Sequence, residues 1–121
     1  MRVLVADDLY ANQFLLNSIL EELNITNYKN VSNGQQVLDA LEKDNYDVVF
    51  MDIEMPVMNG IEATQIIKSE PKYNNIRVIA LTAHNLEEFE DKFQDVQFDS
   101  ILEKPYNPKE FLDTLKKLNL M

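Results

Sequence analysis

Residues 48–60 read VVFMDIEMPVMNG, a short apolar run followed by an acid, a loop and an Asn-Gly pair. An apolar run of this length predicts a strand that is buried on both faces. Two further runs, RVLVA at 2–6 and VIAL at 78–81, predict two more strands of this kind. The more polar stretches at 28–32 and 98–102 predict strands nearer the edges of a sheet.

Amphipathic stretches separate these runs. Apolar residues recur there at helical spacing, which predicts helices with these stripes: Leu16, Ile19, Leu20 and Leu23; Val37, Leu38 and Leu41; Ala63, Ile66 and Ile67; Leu86, Phe89 and Phe93; Phe111, Leu115 and Leu118. The last four helices each follow an Asn with Gln or Glu three positions later, as in a capping box: Asn33 and Gln36, Asn59 and Glu62, Asn85 and Glu88, Asn107 and Glu110. Alternating strands and helices predict an α/β fold, a doubly wound parallel sheet with helices on both faces.

Length and composition limit the class of protein. A chain of 121 residues with 45% apolar residues fits one domain, so we expect 1–121 to form a single domain. Cysteine is absent, which excludes disulfides and thiolate metal sites and fits a reducing compartment such as the cytoplasm. No stretch approaches the ~20 apolar residues of a membrane span. The N-terminal MRVLVADD turns acidic too early for a secretory signal.

The charge balance is strongly acidic. The 11 Lys and Arg against 21 Asp and Glu give a net charge of −10. This opposes binding to nucleic acid or to an anionic membrane, because both need clustered Lys and Arg. A divalent cation or a basic partner surface suits the balance better. Gly34 and Gly60 are the only glycines, so the sequence contains neither a GxGxxG nor a GxxxxGK phosphate loop.

Polar residues follow the predicted strands at the edge where such sheets bind ligands. Asp7 and Asp8 follow the first strand, Asp52 the third, Thr82 the fourth and Lys104 the fifth. If the five strands take the order 2-1-3-4-5, the three acids meet in one pocket. Crowded carboxylates raise each other's pKa, and Mg²⁺ is the natural compensating ion because it prefers oxygen ligands. One carboxylate could then attack a phosphoryl group, with the lysine as a second positive charge.

Over essentially its whole length, the chain resembles the response-regulator receiver domains of two-component signalling. The resemblance is carried by DD at 7–8, MDIEMPVMNG at 51–60, LTA at 81–83 and EKP at 103–105. It implies a flavodoxin-like receiver fold with strand order 2-1-3-4-5. It also implies a phosphoacceptor in a phosphorelay, not a multiple-turnover enzyme on small substrates. Asn12-Gln13, MPVMNGIEAT and ALTAH look closest to the receivers of hybrid sensor kinases.

The resemblance further implies roles for the acids. Asp52 would accept a phosphoryl group from the phosphohistidine of a histidine kinase or histidine phosphotransfer protein. Mg²⁺, for which Mn²⁺ can substitute, would bind Asp8 directly, Asp7 through water, Asp52, and the backbone carbonyl of Glu54. The downstream protein target is not implied. Readout would occur through protein contact or by passing the phosphoryl group on.

The remaining family positions follow the same pattern with one departure. Thr82 and Lys104 would contact the phosphoryl oxygens, Lys104–Pro105 would be a cis peptide, and Gly60 would fit the turn into the third helix. Family members usually carry an aromatic residue three positions before the lysine, which reorients on phosphorylation. Ile101 stands at that position, so the question whether this chain has the aromatic part of the switch stays open.

For three side chains the sequence is compatible with two different positions or roles. Tyr106 either replaces the missing aromatic or packs beside the last helix, and packing is favoured because an amphipathic Tyr usually buries its ring. His84 either lines the pocket rim, where it would tune water access, or is simply exposed. The side chain of Glu54 either points at the pocket or faces solvent.

Rival functions stay open at this point. A small Mg²⁺-dependent phosphohydrolase of the haloacid-dehalogenase type would carry a DxD motif, whereas here the acids are adjacent. A flavodoxin-like cofactor binder needs a neutral, donor-rich loop after the first strand, but ADDLYANQ at 6–13 offers carboxylates. A degenerate receiver that serves only as an interaction module is favoured by Ile101 and opposed by the complete acidic set. A free-standing regulator and a piece of a hybrid kinase are both compatible with the sequence.

Overall fold

Strands and helices alternate along the chain as the apolar runs predict. In this computed structural model the strands are Val3–Ala6 (β1), Tyr28–Val31 (β2), Val48–Asp52 (β3), Arg77–Thr82 (β4) and Ser100–Glu103 (β5). The helices are Tyr10–Glu22 (α1), Gly34–Lys43 (α2), Gly60–Ser69 (α3), Leu86–Phe93 (α4) and Pro108–Lys117 (α5), with a 3-10 turn at Pro71–Tyr73. The structure describes residues 1–121 except the side chains of Leu86, Glu90 and Lys92. The Leu86 position of the predicted α4 stripe therefore lies outside the described residues.

The five strands form one parallel sheet in the order β2-β1-β3-β4-β5, which confirms the predicted fold. Pairing of β1 with β3 places Ala6 opposite Met51, so the carboxyl ends of these strands lie side by side. On the other side of β3, Asp52 lies opposite Leu81 near the end of β4. The edge strands β2 and β5 are partly exposed, as their polar composition predicts.

Successive residues of the central strands face two different apolar layers. One layer packs against α1 and α5 and contains Val3, Val5, Val48, Phe50, Leu16, Leu20, Phe111 and Leu115. The other packs against α2 and α3 and contains Leu4, Ala6, Val49, Met51, Val37, Leu41, Ala63 and Ile67. Burying each large side chain of this kind contributes about 1.5–3 kcal/mol. Burial on both faces explains why the strand runs are continuously apolar.

Asparagine begins four of the five helices, and its side chain makes the cap. The Oδ1 atoms of Asn33, Asn59, Asn85 and Asn107 accept the backbone N–H three positions later, at 2.8 to 3.0 Å. At α2 the Gln36 Oε1 atom also accepts the N–H of Ser32, the residue before the cap, at 2.7 Å. Among the described residues, none of the helices has the length and apolar character needed to cross a membrane.

Two local features shape the loops at the carboxyl edge of the sheet. Gly60 N donates to the carbonyl of Ile53 at 3.0 Å, and a Cβ on Gly60 would collide with the carbonyl of Asp52. The expected tight turn into α3 is therefore confirmed, and only glycine fits it. The Lys104–Pro105 peptide is cis, as the resemblance implies.

Candidate functional site

Three carboxylates meet at the carboxyl edge of the sheet. Asp7 and Asp8 directly follow β1, and Asp52 is the last residue of β3. Oxygen atoms from all three carboxylates lie within 4.8 Å of one another. Asp7 and Asp52 are buried, whereas Asp8 is exposed. The convergence predicted from the strand order is confirmed, and we call these residues the acidic cluster.

Lys104 approaches the acidic cluster from the loop after β5. Its Nζ atom lies 3.3 Å from Asp52 Oδ2, to which it donates a hydrogen bond, and 3.8 Å from Asp7 Oδ2. Among the described side chains, one ammonium group faces three carboxylates, so the cluster keeps an excess of negative charge. Such an excess in a partly buried site attracts a cation.

Burial raises the pKa of Asp52 from 3.8 to about 6. Desolvation is the largest cause, and the negative charge of Asp7 adds to it. The Lys104 ammonium and the Glu54 N–H, which donates to Asp52 Oδ1 at 3.2 Å, lower the pKa. Each oxygen of the Asp52 carboxylate thus has one donor, and neither donor fully offsets the loss of water.

The donor set of the acidic cluster fits a hard divalent cation. Mg²⁺ prefers oxygen ligands, and the cluster offers carboxylate oxygens only. The buried Asp7 Oδ2 atom has no hydrogen-bond partner within the described part of the chain. An unpartnered buried carboxylate oxygen is costly unless a positive group approaches it, so the residues present fit Mg²⁺.

Thr82, the last residue of β4, is buried beside the cluster. Its Oγ1 atom accepts the backbone N–H of His84 at 3.0 Å, which leaves the hydroxyl proton available for another acceptor. The Thr82 carbonyl accepts the N–H of Lys104 at 2.7 Å, so β4 holds the lysine loop in place. An open cleft of about 800 Å³ lies over these groups, and Thr82, Lys104 and Asp52 all line it.

His84 and Glu54 lie at the rim of this cleft. Half-buried His84 places Nε2 3.7 Å from Glu54 Oε1 and Nδ1 3.8 Å from Glu88 Oε2. The Glu54 side chain lines the cleft and is also exposed to solvent. The two predicted positions, toward the pocket and toward solvent, therefore each describe it in part. The predicted effect of His84 on water access stays a prediction.

Tyr106 packs beside the last helix, as favoured from the sequence. Its buried ring meets Phe111 edge-on, with centroids 4.9 Å apart. Burial raises the pKa of the Tyr106 hydroxyl, and the carboxylates of Asp7 and Asp52 add to the effect. Ile101 is half-buried and packs in a small apolar cluster with Phe89 beneath α4.

Two residues contact Asp7 although no site role was predicted for them. Asn12 Nδ2 donates to Asp7 Oδ1 at 3.4 Å, and buried Gln13 donates to the Asp7 carbonyl at 2.6 Å. A signal was present, because Gln13 stands three positions before Leu16 and therefore on the apolar face of α1. A polar side chain at a buried helical position normally has a specific partner.

A family model described as "Response regulator receiver domain" matches residues 3–116 of this chain. Two-component response regulator 24 of Arabidopsis thaliana is 33% identical over 120 residues, covering 98% of this chain and 84% of that protein. The chain spans 30 to 40% of the length of the fungal stress response regulators that it also matches.

Two solved structures extend the similarity to three dimensions. The receiver domain of sensor histidine kinase PA1611 from Pseudomonas aeruginosa, solved with magnesium in its active site cleft, superposes with a TM-score of 0.86. It is 27% identical, and the match covers 96% of this chain and 94% of that one. Response regulator TrrA from Thermotoga maritima, in complex with Mg²⁺ and beryllofluoride, has a TM-score of 0.83 and 31% identity over 97% of both chains.

Proposed function

Because this chain belongs to the response regulator receiver domain family, we propose that Asp52 is its phosphoacceptor and that residues 1–121 make one receiver domain. Receivers are phosphoacceptor signalling domains. The assignment of Asp52 is carried by its surroundings: a buried carboxylate with the Glu54 N–H on one oxygen and the Lys104 ammonium on the other. Desolvation makes such a carboxylate more reactive than an exposed one, because it has lost its water shell.

The transfer begins when a partner places a phosphohistidine at the mouth of the cleft. A carboxylate oxygen of Asp52 forms a bond to phosphorus while the phosphorus–nitrogen bond breaks and its electron pair returns to the imidazole ring. Lys104 and the hydroxyl of Thr82 bind oxygens of the transferred group, because both present donors beside Asp52. The leaving imidazole then takes a proton from water.

We assign a divalent cation to Asp7, Asp8, Asp52 and the backbone carbonyl of Glu54, with Mg²⁺ as the ordinary ion and Mn²⁺ as a substitute. Three observations support this assignment: the carboxylate oxygens lie within 4.8 Å of one another, Asp7 Oδ2 is buried without a hydrogen bond in the described residues, and the two similar receivers were solved with magnesium. When bound, the ion supplies positive charge that stabilises the phosphoryl oxygens during transfer.

The partner we propose is a cytoplasmic histidine kinase or histidine phosphotransfer protein. The net charge of −10 opposes direct binding to nucleic acid and to anionic membranes. The degenerate-receiver alternative is disfavoured because the acidic cluster, Thr82 and Lys104 all converge on one cleft.

Phosphotransfer from a radiolabelled histidine phosphotransfer protein tests the proposal. In the presence of Mg²⁺ we expect acid-labile, hydroxylamine-sensitive label on this chain and none on the Asp52→Asn variant. Asp113→Asn, which alters an exposed acid of α5, is the matched control and should keep the label. Undiminished labelling of Asp52→Asn would place the acceptor elsewhere, and steady turnover of a small phosphate ester would favour the phosphohydrolase alternative.

A further inference from the structure

Gln13 joins three elements at the end of the sheet. It lies in the first turn of α1 and is only 7% exposed. Its amide nitrogen donates to the Asp7 carbonyl at 2.6 Å and to the Val31 carbonyl at 3.3 Å. The N–H of Asp7 donates to the same Val31 carbonyl at 3.1 Å. The ends of β1 and β2 and the start of α1 are therefore connected through one side chain.

The backbone carbonyl of Asp7 needs the Gln13 amide as a hydrogen-bond donor, because the sheet does not supply a donor at this position. Asp7 lies beyond the last residue pair of β1 and β2, which is Ala6 with Val31. A buried amide group is costly unless it is hydrogen-bonded, and both bonds from the Gln13 amide go to backbone carbonyls. The polar residue at this position is thus explained by its hydrogen bonds to the carbonyls and not by packing.

The side chain of Asp7 is held with equal specificity. Oδ1 accepts the N–H of Leu9 at 3.0 Å and the Asn12 amide at 3.4 Å. Oδ2 is buried, has no hydrogen-bond partner among the described residues, and lies 3.8 Å from Lys104 Nζ. Because Leu9 and Asn12 both donate to Oδ1, the carboxylate cannot rotate without breaking these two bonds. Oδ2 consequently faces the acidic cluster.

We propose that Gln13, assisted by Asn12, is a positioning residue for the divalent cation, because Gln13 holds the Asp7 backbone and Asn12 holds Oδ1, which leaves the unbonded Oδ2 on the side of Lys104 for the cation. This role rests on the proposed function of the acidic cluster. Removing a residue that orients a metal ligand typically weakens metal binding about 10- to 100-fold. We expect about tenfold for Gln13→Met, which keeps the reach of the side chain without its donor. Asn12→Ala, which removes the longer bond, should weaken binding about threefold.

Calorimetric titration of the full chain with MgCl₂ measures the dissociation constant for Mg²⁺ directly. A second measurement is the Mg²⁺ dependence of phosphorylation by acetyl phosphate, a small donor that needs no protein partner. In Gln13→Met the half-saturating Mg²⁺ concentration should rise about tenfold, while the rate at saturating Mg²⁺ stays within about twofold of the unaltered chain. A residue that only supports the fold would lower Tm and leave the half-saturating concentration unchanged.

Thr114→Val is the matched control, because it removes a partly buried hydrogen bond from a buried side chain to a carbonyl, Thr114 Oγ1 to Glu110 at 2.8 Å. It should lower Tm without altering Mg²⁺ affinity. An unchanged dissociation constant in folded Gln13→Met, or equal weakening in Thr114→Val, overturns the inference. If Gln13→Met does not fold, an unchanged affinity in Asn12→Ala overturns it. Absence of Mg²⁺ binding by the unaltered chain would contradict the proposed function itself, and this role with it.

Discussion

Replacing Asp52 by Asn is expected to stabilise the fold at neutral pH, although it removes the residue proposed to react. Asp52 is buried beside Asp7, and burial raises its pKa from 3.8 in the unfolded chain to about 6. The folded state therefore binds this proton more tightly than the unfolded state does. The stability contributed by protonated Asp52 is complete below about pH 3.8 and is lost as the pH rises through about 6.

The magnitude follows from the gap between the two pKa values. At about 1.4 kcal/mol for each pH unit between 3.8 and about 6, the ionised carboxylate costs about 3 kcal/mol above pH 7. Asn has the shape of the protonated acid and no charge, so Asp52→Asn should recover most of this free energy at pH 7.5. For a chain of this length that corresponds to a rise in Tm of about 10 °C, and the gain should vanish near pH 4.

Thermal unfolding of both chains in EDTA, at pH 7.5 and pH 4, measures the effect without a bound cation. Asp113→Asn makes the same change in net charge at an exposed position, and its Tm should stay within the range of an ordinary surface substitution, about 0.5 kcal/mol. A Tm of Asp52→Asn equal to or below that of the unaltered chain at pH 7.5 would show that the ionised Asp52 carboxylate does not destabilise the fold. A gain of the same size at pH 4 would show that its origin is not the charge.

Three further perturbations address neighbouring parts of the site. Lys104→Met should lower the free energy of unfolding by about 2 kcal/mol at pH 7.5, because it leaves the acidic cluster without its counter-charge. Urea unfolding measures this loss, which should shrink toward pH 4, where Asp52 is protonated. Gly60→Ala should cost at least about 2 kcal/mol, since its Cβ would meet the Asp52 carbonyl, and an unchanged urea midpoint would contradict the tight turn. Mg²⁺ at about 100 times its dissociation constant should add about 2.7 kcal/mol, seen as a higher Tm; a Tm that neither Mg²⁺ nor Ca²⁺ moves would count against the cation site.

The fold could be predicted because a sheet covered on both faces leaves a simple pattern. Every residue of β1 and β3 is buried, so the runs at 2–6 and 48–51 were enough to locate them. The edge strand β5 begins two residues later than the stretch 98–102 indicated. Phe98 lies before this strand, and its ring packs against Phe89 with the centroids 5.6 Å apart. This contact, and not membership of the strand, explains the apolar residue at position 98.

The acidic cluster could be predicted because residues at the carboxyl ends of neighbouring parallel strands must meet. The apolar face of α1 indicated that Gln13 needs a partner, but not which one. Its partners, the carbonyls of Asp7 and Val31, are 6 and 18 residues away and come together only through packing of α1 on the sheet. The position of the Glu54 side chain could not be predicted either, since no periodic sequence pattern indicates the orientation of an exposed loop side chain.

The proposed reaction needs both Asp52 as the acceptor of the phosphoryl group and a cation held by the acidic cluster. Mass spectrometry of the intact chain after exposure to acetyl phosphate, with Mg²⁺ and with EDTA, tests it most directly. We expect one hydroxylamine-sensitive phosphoryl group per chain with Mg²⁺, and none with EDTA or in Asp52→Asn. Equal incorporation in Asp52→Asn, or incorporation that does not depend on Mg²⁺, would contradict it.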